Sequence, residues 1–128
     1  GAVVVCGGRS GVMEAVARGA REAGGVTVGV LPGPEAVEAN PWISIPLPSG
    51  LGEARNALVV RAGEAVVAVG GGWGTLSEIS LARKMGRPVT TVGRPPADGL
   101  ELHASPTAED AADWALDQAR AHRDGDPG

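Results

Sequence analysis

Short apolar runs, each closed by glycine or proline, set the rhythm of the chain. Ala2–Cys6 reads AVVVC, Val26–Leu31 reads VTVGVL, Ala65–Val69 reads AVVAV and Val89–Val92 reads VTTV. Runs of this kind, without apolar–polar alternation, predict strands buried on both faces. Helical spacing fills the intervals. Over 11–23, Val12 and Val16 stand four apart, and Glu14–Arg18 and Arg18–Glu22 form i,i+4 ion pairs. Ser10 is placed to cap this helix, and Gly24-Gly25 ends it. A second helix is expected over about 51–62, opened by Ser49 or Gly50. A third covers Thr75–Met85 and stops at Gly86 and Pro88, and a last one runs from a Thr107 cap to about His122. Pro32–Asn40 reads as a loop, Trp42–Ile45 as a short extended piece, Gly93–Gly99 as a linker, and Leu100–His103 as a short edge strand.

Strand and helix alternate throughout. The pattern predicts the α/β class, with a doubly wound, mainly parallel, Rossmann-like sheet and right-handed crossovers. One nucleotide-binding domain is expected over 1–123, with 124–128 as a frayed tail. Because the first strand starts at residue 2, the fold is expected to lack an N-terminal βα unit in this chain.

Composition narrows the picture. The chain has 128 residues, 43% hydrophobic and 20% charged, which suits one packed domain rather than disorder. Phe and Tyr are absent, so the core must be built from Val, Leu, Ile and Ala. The net charge of −4 comes from the end of the chain: residues 101–128 hold seven acids against two arginines. The body is near neutral, so the acidic balance does not oppose anion binding. No basic stripe points to nucleic acid, and no apolar run approaches the roughly 20 residues of a membrane span. Neither a nucleic acid nor a membrane is an expected partner. Cys6 is the single cysteine, which leaves no internal disulfide or cysteine metal site and suits a cytoplasmic protein. His103 and His122 lack ligand spacing, so no metal site is expected.

Two glycine loops carry the candidate chemistry: Gly7-Gly8-Arg9-Ser10-Gly11, and Gly70-Gly71-Gly72-Trp73-Gly74 followed by Thr75. Each passes from a strand's carboxyl end to a helix N-terminus, where ligands bind in open α/β sheets and free N–H groups favour anions. Neither matches the G-x-x-x-x-G-K-[ST] or G-x-G-x-x-G pattern. The bland alternative is a tight turn without a ligand; two such loops favour binding. Glu78 has two open roles. Thr75-Leu76-Ser77-Glu78 fits a capping box, but helical phase also places Glu78 between Ala82 and Met85 on an apolar face, where desolvation would perturb a carboxylate. Arg55 falls by the same phase near Leu51, Leu58 and Ala62, and needs an anionic partner there, either a structural carboxylate or a ligand. Asn56 can read a ligand edge or fill a hydrogen-bond network. Arg9 can touch phosphate or lie in solvent, and Trp73 can stack on a ring or pack on another subunit.

Gly7–Met13 resembles the GGxxGxM loop of the LOG family, formerly called lysine decarboxylases. Gly71–Glu78 (GGWGTLSE) resembles its PGGxGTxxE motif, and Gly50–Asn56 (GLGEARN) stands at its x-R-K segment. The likeness covers about 2–92 and is nearest to the molybdenum-cofactor carrier branch. It implies a Rossmann-like fold, phosphate held by Gly72, Gly74 and Thr75, and a homo-oligomer. In LOG enzymes it also implies hydrolysis of nucleoside 5′-monophosphates to base and ribose 5-phosphate, with Arg55 and Glu78 as the catalytic pair. Gly70 replaces the motif's proline and Asn56 its lysine, departures that favour the carrier branch. The first functional expectation is therefore a binding protein for a phosphorylated small molecule, a nucleotide or the molybdenum cofactor, held by Gly7, Gly8, Arg9, Ser10, Asn56 and residues 71–75. The sequence requires no cofactor for this. The alternative is the phosphoribohydrolase.

Overall fold

The computed structural model describes residues 2–93, 95 and 101–125. The chain divides into two compact units, Gly1–Ala62 and Gly63–Gly128.

The first unit runs β1 (Val3–Cys6), α1 (Val12–Glu22), β2 (Val26–Leu31), a 3₁₀ turn at Ala36–Glu38, β3 (Ile45–Pro48), a 3₁₀ turn at Gly52–Arg55 and α2 (Asn56–Ala62). Its three strands are parallel in the order β1-β2-β3, with Val3 opposite Val26 and Val28 opposite Ile45. Pro46 and Pro48 lie on the outer strand, which is where a residue without an N–H donor can sit in a sheet. Ala17, Val30, Leu31 and Val60 make the core. Buried Thr27 is satisfied by donating to the Trp42 carbonyl at 2.6 Å and accepting from the Ser44 amide at 2.8 Å.

The second unit runs β4 (Val66–Ala68), α3 (Trp73–Met85), β5 (Val89–Val92), β6 (His103–Ser105) and α4 (Ala108–Gly125). Its strands are parallel in the order β4-β5-β6. Ala68, Ile79, Ala82, Val89 and Ala111 are buried between strands and helices. The predominance of alanine lets backbones approach closely where no large aromatic fills the space. Each unit is a three-stranded parallel sheet with a helix connecting its first two strands, so the α/β, Rossmann-like class stands as expected.

Several local expectations need correction. Ser10 does not cap α1; Gly11 occupies the N-cap position and no side chain bonds there. Thr75-x-x-Glu78 is not a capping box, because α3 begins two residues before Thr75 and both residues lie inside it. Val12 and Val16 are exposed, and Ala17 is the buried residue of α1. The expected strand near Leu100–His103 is His103–Ser105, with Leu100 outside the described residues, as are Arg94 and 96–99 of the expected linker. Thr107 does cap α4, accepting the Asp110 amide at 3.1 Å. That helix continues to Gly125, past the expected start of the tail, of which 126–128 lie outside the described residues.

Candidate functional site

After β1 the chain turns through two buried glycines that are sterically required. A Cβ on Gly8 would stand 2.7 Å from Leu31 Cδ2 and 3.2 Å from Gly29 Cα, and the residue holds a φ of +77° that side chains resist. A Cβ on Gly7 would stand 2.5 Å from Met13 Sδ and 2.9 Å from Arg55 Nη2. Gly7 therefore makes the space in which the Arg55 guanidinium rests against the loop.

Arg55 is the chemically unusual residue of this unit. It is 6% exposed. Its Nη1 donates to Asn56 Oδ1, its Nη2 lies 4.0 Å from Met13 Sδ, and its Nε has no acceptor. Within the first unit no carboxylate pairs with it. A guanidinium taken out of water without a counter-charge is costly, so proteins normally pair such a group. The helical phase read from the sequence put Arg55 beside Leu51, Leu58 and Ala62, but Leu51 and Leu58 are exposed. Residues 52–55 form a 3₁₀ turn, which advances about 120° per residue rather than 100°. The altered phase turns Arg55 inward with Asn56 and Val60.

The rest of the β1–α1 loop is open. Arg9 and Ser10 are exposed. Arg9 Nη1 lies 3.4 Å from Glu38 Oε2, an exposed contact of little energetic weight. The uncapped first turn of α1 leaves N–H groups available, as at any helix start. Sequence reasoning missed Asn40. Its Nδ2 donates to the Gly8 carbonyl at 3.2 Å and the Arg9 carbonyl at 2.8 Å, its amide donates to the Gly8 carbonyl at 2.9 Å, and its Oδ1 accepts the Trp42 amide at 3.0 Å. The only local signal was an Asn-Pro step, which marks a turn but not its distant partner. Elsewhere on α1, Glu22 raises the pKa of exposed Arg18 through a hydrogen bond of 2.9 Å, and the Arg18 guanidinium lies 5.6 Å from the Trp42 ring centre.

The second glycine loop is built differently. Gly70–Gly74 are all exposed, and a Cβ on Gly72 or Gly74 would meet nothing within 4 Å. Gly72 is the N-cap of α3, without a side-chain cap. Trp73 is 87% exposed. Thr75 donates its hydroxyl to the Val69 carbonyl at 3.2 Å, so its hydroxyl hydrogen ties the turn to the strand end. Glu78 is half-buried, on the helix that buries Ile79 and Ala82. The first unit thus brings together Gly7, Met13, Arg55 and Asn56. The second places Gly71, Gly72, Trp73, Gly74 and Thr75 in one exposed turn, with Glu78 three residues further along α3.

The chain is similar to several known proteins. Residues 1–120 match the model of the SLOG cluster4 family. An uncharacterized protein of Archaeoglobus fulgidus is 37% identical over 118 residues, covering 91% of this chain and 76% of that protein. The molybdenum cofactor binding protein of Rippkaea orientalis superposes with a TM-score of 0.80 at 32% identity, over 90% of this chain and 76% of its own. The molybdenum cofactor carrier protein of Chlamydomonas reinhardtii gives a TM-score of 0.78 at 38% identity, over 93% and 78%. The likeness to the carrier branch that the glycine loops suggested is therefore matched by structure as well as sequence, and the chain belongs to the SLOG cluster4 family.

Proposed function

We propose that this protein is a cytoplasmic carrier that binds a phosphorylated pterin of the molybdenum-cofactor type, or a nucleotide of similar chemistry, and releases it unchanged. The observation that carries this reading is the buried Arg55 guanidinium against the β1–α1 loop, a cation with no carboxylate partner within the first unit and with an Nε that meets no acceptor among the described residues. A phosphate would supply the missing counter-charge, and a charge-assisted contact at a desolvated guanidinium is among the strong hydrogen bonds. The donor set fits such a group. Arg55 and the amides of Arg9 and Ser10 would hold the phosphate in the first unit. Within the second unit, the open turn separately offers the N–H groups of Gly71–Thr75 to an anion, and Trp73 exposes a ring face on which a heterocycle could stack. When bound, the molybdenum cofactor supplies the redox-active metal; the chain's own residues bind and shield.

Asn56 supports binding over turnover. The LOG motif has a lysine there, a second cation beside the arginine. Here a neutral amide accepts from Arg55 and fixes its guanidinium. That arrangement favours a stable complex with one anionic group. Pairing into a homo-oligomer belongs to the same reading, and the exposed Val12, Val16 and Leu58 supply apolar helix surface for it.

The test combines two assays on the wild-type chain. Molybdenum cofactor released from a molybdoenzyme is mixed with the protein, and molybdenum and pterin are measured in the gel-filtration peak. Roughly stoichiometric co-elution is expected, falling at least about tenfold in Arg55→Gln. Incubation with AMP is expected to yield no ribose 5-phosphate. Release of ribose 5-phosphate that disappears in Glu78→Ala would replace the carrier reading with the phosphoribohydrolase.

A further inference from the structure

Resting on the reading of a phosphate-bearing ligand, we propose that Asn40 is a positioning residue: it engages the carbonyls of the first glycine loop, so that the loop meets the ligand with N–H donors.

Three hydrogen bonds from two donor groups of Asn40 hold the loop. The Asn40 amide and Nδ2 both bond the Gly8 carbonyl, at 2.9 and 3.2 Å, and Nδ2 also bonds the Arg9 carbonyl at 2.8 Å. Both acceptors belong to trans peptides. In a trans peptide the N–H points opposite to the C=O. Holding the Gly8 carbonyl therefore directs the Arg9 N–H away from Asn40, and holding the Arg9 carbonyl does the same for the Ser10 N–H. Among the described residues neither of these N–H groups meets an acceptor.

The electrostatic consequence follows directly. A flexible glycine loop can present either end of its peptide dipoles, and a carbonyl facing phosphate repels it. With two carbonyls occupied, what remains toward the ligand is donor-only: the Arg9 and Ser10 amides, continued by the uncapped first turn of α1. The buried Arg55 guanidinium beneath Gly7 supplies the second, independent sign that this loop faces an anion.

Asn40 is itself fixed for the task. Its Oδ1 accepts the Trp42 amide at 3.0 Å, which orients the side-chain amide so that Nδ2 is the end facing the loop. An aspartate would keep the Trp42 bond and the shape. It would lose both side-chain donations and set a carboxylate against two carbonyls, leaving the loop free to turn.

The experiment titrates ¹⁵N-labelled full-length protein with inorganic phosphate and follows the amides of Arg9 and Ser10. Wild type is expected to show saturable downfield shifts of both amides. At pH 8, Asn40→Asp is expected to weaken the affinity about tenfold, and the neutral Asn40→Ala by a similar factor, which separates lost donors from added charge. Relative to wild type at the same pH, the Asn40→Asp deficit shrinks as pH falls from 8 toward 4, because protonation of the new carboxyl restores one donor. Asn40→Ala, which regains no donor, is expected to keep its deficit over the same range. If wild type responds, Arg55→Gln abolishes the response, and both Asn40 variants bind like wild type, the phosphate reading stands and the role of Asn40 is overturned. If wild type itself shows no saturable response, the phosphate reading fails and this inference falls with it.

Discussion

The two glycine loops share a plan in sequence, strand to glycines to helix, yet they are opposite in construction. In the first, Gly7 and Gly8 are buried and each is needed because something else occupies the space a Cβ would fill: Met13 and Arg55 in one case, Leu31 and Gly29 in the other. In the second, Gly72 and Gly74 stand in open space and pack against nothing. The first loop is clamped by Asn40 and underlain by a buried cation. The second is tied by one threonine hydroxyl and tipped by a Trp that is almost wholly exposed. Glycine in the first loop is therefore a packing requirement of the folded chain. In the second, Gly70 is required by its backbone, at a φ of +99°, whereas Gly72 and Gly74 meet no packing demand, which suits the proposed access of a ligand to the backbone.

Substitutions can break this contrast. The largest effect belongs to Arg55→Met. It removes a buried charge that has no carboxylate partner within its own unit while keeping much of the apolar stem, so binding of phosphate-bearing ligands should fall at least about 100-fold. Stability should stay level or rise by about 1–3 kcal/mol in urea unfolding. A large loss of stability with binding retained would show that the guanidinium is structural. Next comes Gly8→Ala, which forces a Cβ into Leu31 at a positive φ. It should destabilise by about 2–4 kcal/mol, seen as a lower urea midpoint.

The second loop should respond in ligand affinity rather than stability. Trp73→Ala should leave the melting temperature unchanged and weaken a heterocyclic phosphate such as AMP about tenfold, while inorganic phosphate is unaffected, in paired calorimetric titrations. Equal loss for both ligands would remove the stacking role. The smallest effect is that of Gly74→Ala, which lies in the first turn of α3 with room for a methyl group. It should raise stability by under about 1 kcal/mol in thermal melts. If it instead destabilised like Gly8→Ala, the contrast between the loops would be lost.

The strands were legible as continuous apolar runs, and β2 falls where Val26–Leu31 placed it, but the expected burial on both faces fits only β2 and β5, since no residue of β1 is buried and Val67 of β4 is exposed. The glycine loops were legible as motifs. Their different construction was not, because it depends on which distant side chains, Leu31 and Arg55, fill the neighbouring space. Arg55 was recognised as a cation needing an anion, but its neighbours were misplaced: a uniform helical phase over 51–62 does not hold where the first turn is 3₁₀. Thr75-x-x-Glu78 looked like a helix start because glycines rarely open a helix run, yet α3 starts at Trp73. Asn40 carried no readable signal, since its partners lie 31 and 32 residues away and are backbone carbonyls, which any residue type could supply.

The Arg55 guanidinium, whose Nε meets no acceptor among the described residues, is the centre of the proposed site. Arginine side-chain ¹⁵N NMR observes that nitrogen directly. On titration with a phosphate-bearing ligand, the Arg55 Nε resonance should shift saturably, with the same midpoint as the binding isotherm measured by calorimetry. A ligand that binds while the Arg55 Nε resonance stays where it was would contradict the assignment of this arginine as the anion's partner.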